Sequence, residues 1–244
     1  MHKEALKDLI KHTSPFYDVV KVYNDNGKTK FLSSDDGNTI LMSGSFNNYH
    51  KELDNASVGI NRMPTLKGML NFGLFNEQGS SYNLVMEGKD GVDKLAEIHF
   101  ESPYGHKSTY RFMGSRVVDS QLKTHTFKGA QWDVSFRPTL KLVSELSHFA
   151  AILGGNDCKF VASTLNGKLA FNVGSHGNDR ATIPICDTTG VLKKNWSWGL
   201  LKFISVLKLA DDEACTVHIS NQAVMMIEIE SKYASYQFIL PSTK

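Results

Sequence analysis

Cysteine and proline are scarce in this chain, three and six in 244 residues. Cys158, Cys186 and Cys215 are widely spaced and form no Cys-x-x-Cys pair, which excludes a disulfide framework and a cysteine-built zinc site. They read as reduced core residues. Long hydrophobic runs are also missing. The stretch at Gly199–Leu201 is broken at once by Lys202, so no bilayer-spanning segment and no membrane partner are expected. The opening residues, MHKEALKDLIKHTS, are amphipathic and carry acids, unlike a signal or transit peptide, so a cytoplasmic protein is expected. The glycosylation triplets at Asn55 and Asn195 then carry no weight.

Signatures of catalysis are lacking too. The nine histidines include no pair at i, i+3 to i+5, and there is no His-Glu-x-x-His, P-loop or Gly-x-Gly-x-x-Gly. Ser205-Val-Leu-Lys208 matches Ser-x-x-Lys without its partner motifs, and Gly174-Ser-His-Gly177 has the wrong glycine spacing for a nucleophile elbow. Asp211-Asp212-Glu213 suits a polar turn after a helix better than a magnesium site. No metal, no cofactor and no catalytic residue are expected. The chain reads as a binding or scaffolding protein.

What is present is ordinary globular material, 41% hydrophobic and 21% charged, enough for one to two domains with a sizeable core. Its organising pattern is clearest in FRPTLKLVSELSHFAAIL, Phe136–Leu153. Leu142, Leu146, Phe149, Ala150 and Leu153 share one face of a predicted helix, while Arg137, Lys141, Ser144 and His148 form a stripe on another. A hairpin signal follows at Asn166-Gly167.

The pattern recurs. Lys3–Thr13 has Leu6, Leu9 and Ile10 on one face and Lys3, Lys7 and Lys11 in register on another, and a meander with Asn26-Gly27 follows. Asn61–Phe72 is a shorter helix, with Pro64 in its first turn, Leu66, Met69 and Leu70 inward and Lys67 outward. A fourth helix is expected from Asn195, with Lys202, Ser205 and Lys208 stepping along its outer side. Strands are expected after each of the last three. The helices thus start near residues 3, 63, 136 and 195. Such an internal repeat implies two halves of two helix-plus-meander units each. Gly114–Lys128, GSRVVDSQLKTHTFK, lacks a sustained period and reads as the linker, with an extended strand conceivable at Ser115–Val118. The expected fold class is α+β: domains at 1–113 and 129–244, a connector at 114–128, and helices on one face of antiparallel sheets.

The net charge of +2 conceals a partition. The four helical segments with Lys193 and Lys194 hold eleven of the 27 basic and three of the 25 acidic residues. Lysines on helix faces suit sequence-independent, salt-sensitive phosphate contact rather than base readout. Tyr233 and Tyr236 are the aromatics a single-strand binder would need, but core packing explains them better.

At this point the chain resembles a DNA sliding clamp, the ring-shaped processivity factor of polymerases. Asn26–Phe46 (NGKTKFLSSDDGNTILMSGSF) is similar to the hairpin and strand after the first helix of eukaryotic and archaeal clamps. Ala56–Leu74 resembles the strand leading into their second helix. Trp132–Phe149 resembles the opening of their second half, and Ala223–Ser242 their closing hairpin. Length and two-half organisation are closest to the clamps of T-even-like tailed phages.

The resemblance implies two clamp domains per chain and a homotrimeric ring, with helices toward a central hole holding double-stranded DNA. It implies a DNA polymerase and a clamp loader as partners, inside an infected bacterial host cell. Carried over by position, the phosphate-facing residues are Lys3, Lys7, Lys11, Lys67, Arg137, Lys141, Lys202 and Lys208, with His148 on the same stripe. The partner-peptide site would involve Val117, Val118 and Leu122 of the connector with Leu240 and Pro241. The loop Ser33–Asn38 is polar where cellular clamps offer an apolar pocket wall. The alternatives are a monomeric DNA-clinging processivity factor of the same fold, a structural virion protein indifferent to DNA, and an unrecognised α/β enzyme.

Overall fold

Two Asn-Gly pairs set two of the hairpins. Asn26 and Gly27 have φ of 50° and 72°, and Asn166 and Gly167 have 51° and 74°. Two successive left-handed residues give the turn whose twist matches its flanking strands, and these two side chains tolerate it best. The structure is a computed structural model and describes residues 1–89, 92–122, 127–153, 158–174, 179–211 and 213–243. The chain divides into two compact units, Met1–Thr126 with Lys232–Ser235 and Phe127–Ser231 with Tyr236–Lys244.

In the first unit, α1 (Lys3–Thr13) buries Ala5, Leu6, Leu9 and Ile10. It packs on α2 (Met63–Asn71), which buries Met63, Leu66 and Leu70. Met63 rather than Met69 completes that face. Strands β1 (Val20–Asp25), β2 (Lys28–Ser34) and β3 (Leu41–Phe46) form the expected meander. The short strands β4 (Val58–Ile60) and β8 (Met113–Gly114) extend it in the order β8-β4-β1-β2-β3. Strands β5 (Ser81–Lys89), β6 (Val92–Glu101) and β7 (Lys107–Arg111) form a separate antiparallel sheet. The buried Tyr110 ties that sheet to the entry of α2: its hydroxyl donates to the Asn61 carbonyl at 2.6 Å and accepts from the Asn61 amide at 3.1 Å.

The connector departs from expectation. Ser115–Gln121 is neither irregular nor extended but a helix, α3, seated on β4 with Val118 fully buried. Its stability comes from docking, which no local period announces. The connector residues 123–126 lie outside the described residues.

In the second unit, Phe136 does not begin a helix. It closes β9 (Val134–Phe136) opposite Val217, and α4 runs from Leu140 to Leu153. Pro138 disfavours helical geometry at Arg137, and Thr139 Oγ1 accepts the Leu142 amide at 3.1 Å, so the helix starts after the proline. The fourth helix also starts later than expected. Ser197–Gly199 is a strand, β13, pairing with β10 (Lys159–Leu165), and α5 follows at Leu200–Leu207. Trp198 fixes this entry by donating its indole N–H to the Leu240 carbonyl at 3.0 Å.

Strands β11 (Lys168–Gly174) and β12 (Arg180–Asp187) complete one sheet, ordered β12-β11-β10-β13. The other is ordered β16-β15-β14-β9, with β14 at Ala214–Ser220, β15 at Val224–Glu230 and β16 at Ala234–Pro241. Helices α4 and α5 pack together, and α4 rests on β11 and β12. Beneath them Phe160, Phe171 and Phe203 form a cluster with ring separations of 4.6 to 5.7 Å. The sixty-residue repeat is present: α1 and α2 begin at Lys3 and Met63, α4 and α5 at Leu140 and Leu200.

Cys158 is buried and the other two cysteines half-buried, all as free thiols. Burial pushes the Cys215 thiol up to about 12. Tyr236 is fully buried, as its core reading requires. Among the described residues no helix is long and apolar enough to cross a membrane.

Candidate nucleic-acid interface

The basic helix faces differ between the two units. On α1, Lys3 and Lys7 are not simply solvated: Lys3 Nζ donates to the Phe75 carbonyl at 2.7 Å, and Lys7 Nζ reaches the Glu4 carboxylate at 3.0 Å and Asn76 at 3.3 Å. Both acceptors beyond the helix lie in or beside the short turn Gly73–Phe75 that follows α2, so packing α1 on α2 brings them within reach. Burial, then the charge of Lys7, lowers the Lys3 pKa, and Glu4 acts against them.

Lys7, Lys11 and Lys67 surround a cleft of about 360 Å³ between α1 and α2. Ile10 and Leu70 also line it, as do Glu4 and Asp8. Lys67 is exposed, and beside it Gly68 has open space where a side chain would stand. Of the lysines on α1 and α2 only Lys67 is exposed, and the two helices present a mixed-charge cleft rather than the row of solvated lysines the spacing predicts.

On the second unit the face is more open. Lys141 is 85% exposed and 3.7 Å from Glu145, one turn on. Ser144 and His148 are exposed in register with it. Arg137 is exposed too, but it precedes the helix, so the stripe begins at Lys141. On α5, Lys202, Ser205 and Lys208 are exposed at three-residue spacing. Lys208 is the C-cap, where a cation meets the negative end of the helix dipole. The sequence reading overlooked Leu140 and Ile152, which are 70% and 59% exposed on α4. Neither belongs to the apolar series through Leu142 and Leu146, and that was the available signal. The face can touch phosphates and sugars; it offers no array for reading bases.

The residues expected at a partner-peptide site are distributed unevenly. In the first unit Val117 is 48% exposed, Val118 is fully buried and Leu122 is half-buried. In the second unit Leu240 is buried and Pro241 exposed. Val118 and Leu240 serve their own cores. The sequence reading also missed Lys21 and Gly59, which form the seat of α3, and Asp119 of α3, which meets Lys21 there. A lysine in an alternating strand looks solvent-facing, and nothing local says that a helix covers it.

No family model matches the sequence, and no curated protein matches it. Solved structures do. The chain is similar to the A. fulgidus PCNA bound to the C-terminal region of FEN-1, with a TM-score of 0.72 at 10% identity, covering 100% of this chain and 97% of that one. The PCNA of Thermococcus kodakaraensis gives 0.69 at 11% identity, covering 100% and 98%. The Proliferating Cellular Nuclear Antigen of Entamoeba histolytica gives 0.68 at 14%, covering 99% and 96%. These three neighbours are all PCNA chains. This chain has their fold over its whole length, an α+β architecture of helices and antiparallel sheets.

Proposed function

We propose that the protein is a DNA sliding clamp: a homotrimeric, non-enzymatic ring that encircles duplex DNA without sequence preference and tethers a replicative polymerase. The whole-length PCNA-type fold carries this reading. The exposed basic positions of α2, α4 and α5 are its second support. Lysines meeting phosphates hold DNA weakly, and every phosphate offers the same partner, so the ring slides. In this reading each chain contributes domains 1–113 and 129–244, joined by 114–128.

Ring closure in this reading needs an open strand edge on each unit. Strands β7 and β12 each lie at the end of their sheet. An open edge is a template for another copy's strand. A clamp loader would open and close the ring. A T-even-like phage source, and so the cytoplasm of an infected bacterium, belongs to the same reading.

Light scattering at micromolar concentration, followed by loading onto circular DNA, tests the proposal. A trimer that stays on circular DNA and slips off after linearisation is expected. A monomer that binds short linear duplexes stoichiometrically, without a loader, would mean a clinging processivity factor instead. Large assemblies indifferent to DNA would mean a structural virion protein.

A further inference from the structure

The face of unit 1 that lies under α3 combines features a free-standing sheet would not keep. The antiparallel register pairs Lys21 of β1 directly with Gly59 of β4, so both point to one face. Their neighbours Val20, Val22, Val58 and Ile60 alternate to the other and are buried. Lys21 itself is only 9% exposed. Its ammonium sits 2.7 Å from the Asp119 carboxylate and 5.2 Å over the ring of Tyr23. Ser57 Oγ donates to the same carboxylate at 3.0 Å. Beside this pair, a Cβ at Gly59 would lie 3.0 Å from Val118 Cβ and 2.9 Å from Met113 Cβ. Glycine is what lets the valine sink to full burial.

The element that fills this seat is weak on its own. Helix α3 has seven residues, its N-cap Gly114 offers no side-chain cap, and its first turn holds no acid. So short a helix does not persist in water without docking. Its opposite side, Arg116, Val117, Ser120 and Gln121, is exposed. The seat, by contrast, has a stated demand: an aliphatic side chain over Gly59 and a carboxylate for Lys21. An occupant that covered Lys21 without supplying an anion would leave a buried unpaired charge, so the seat selects for a carboxylate.

We propose that this seat is a peptide-docking groove occupied in cis by α3, and that it accepts in trans a short helical segment of a partner protein in which an aliphatic residue is followed directly by Asp or Glu. The tethered α3 competes at an effective concentration of about millimolar. A partner therefore succeeds by adding contacts outside the groove, and α3 acts as an internal competitor that keeps weak peptides out. The proposal does not depend on DNA encirclement.

The probe is a fluorescent peptide with the chain's own sequence Gly114–Leu122, followed by anisotropy on the full-length protein. Weakening the internal competitor with Val118→Ser plus Asp119→Asn should tighten peptide binding about tenfold or more over wild type, the effect of removing a tethered rival. Adding Lys21→Met to that variant should abolish the gain. If the double variant is poorly folded by circular dichroism, Asp119→Asn alone is used, with hydrogen exchange of the 115–121 amides as readout. In the wild-type protein, excess peptide should accelerate that exchange. Equal peptide affinity in wild type and variant, a gain that survives Lys21→Met, or exchange unchanged by saturating peptide would each overturn the proposal.

Discussion

At the residue scale, close approach and burial set the sensitive positions. A Cβ on Gly190 would lie 1.8 Å from the Asp133 carbonyl oxygen, so backbone must move to admit it. The surrounding segment is held by Asn221, whose amide donates to the Asp133 carboxylate at 2.7 Å and whose side chain donates to the Val191 carbonyl at 2.9 Å. Gly190→Ala should cost about 2–3 kcal/mol in denaturant unfolding, the scale of overpacking strain. His50 supplies a pH dependence. Burial, chiefly, lowers its pKa from 6.5 to about 4, and its ring packs on Phe46 at 5.1 Å. Between those two values the unfolded chain binds more protons than the folded one, so stability falls as pH drops through the window and is fully present above it. Melting temperature measured against pH should show that slope, and His50→Leu should flatten it.

At the element scale, packing outweighs propensity. Gly68 lies inside α2, and a Cβ added there would meet no side chain or other element within 4 Å. Gly68→Ala should stabilise the protein by about 0.5–1 kcal/mol, because alanine is the better helix former and nothing obstructs it. A destabilised variant would mean that the helix needs the glycine for a contact. Phe203 of α5 is fully buried against Phe160 and Phe171, and Phe203→Ala should cost about 3–5 kcal/mol by chemical denaturation. The helix faces were legible in the sequence because a period needs only neighbours along the chain. Their starts were not: Pro138 and the strand pairing of Trp198 moved two of them by several residues. The seat of α3 was invisible for the same reason, since Lys21, Gly59 and Val118 are far apart in sequence and meet only by folding.

At the scale of the whole molecule, the proposed clamp function rests on distributed charge. Lys67, Lys141 and Lys202 are exposed on α2, α4 and α5. Changing all three to Glu should abolish stable loading on circular DNA and leave the unfolding midpoint near wild type. Single changes to Ala should weaken binding uniformly across DNA sequences and reduce the salt slope by about one per lysine. Retention of full processivity by the triple variant would remove these helices from the DNA surface. Lys7 is a poorer test, since its bonds to Glu4 and Asn76 mean that reversal also disturbs the fold.

By itself the sequence determined the sixty-residue repeat, the two Asn-Gly hairpins, the apolar helix faces and the segregation of basic residues to helices. Each of these is written in short-range spacing, which folding preserves. The tertiary structure alone decided how exposed each helix lysine is, because that depends on groups such as the Phe75 carbonyl, brought close by packing α1 on α2. It also decided that Ser115–Gln121 is helical, since seven residues with no cap take that form only when Val118 and Asp119 find Gly59 and Lys21 beneath them.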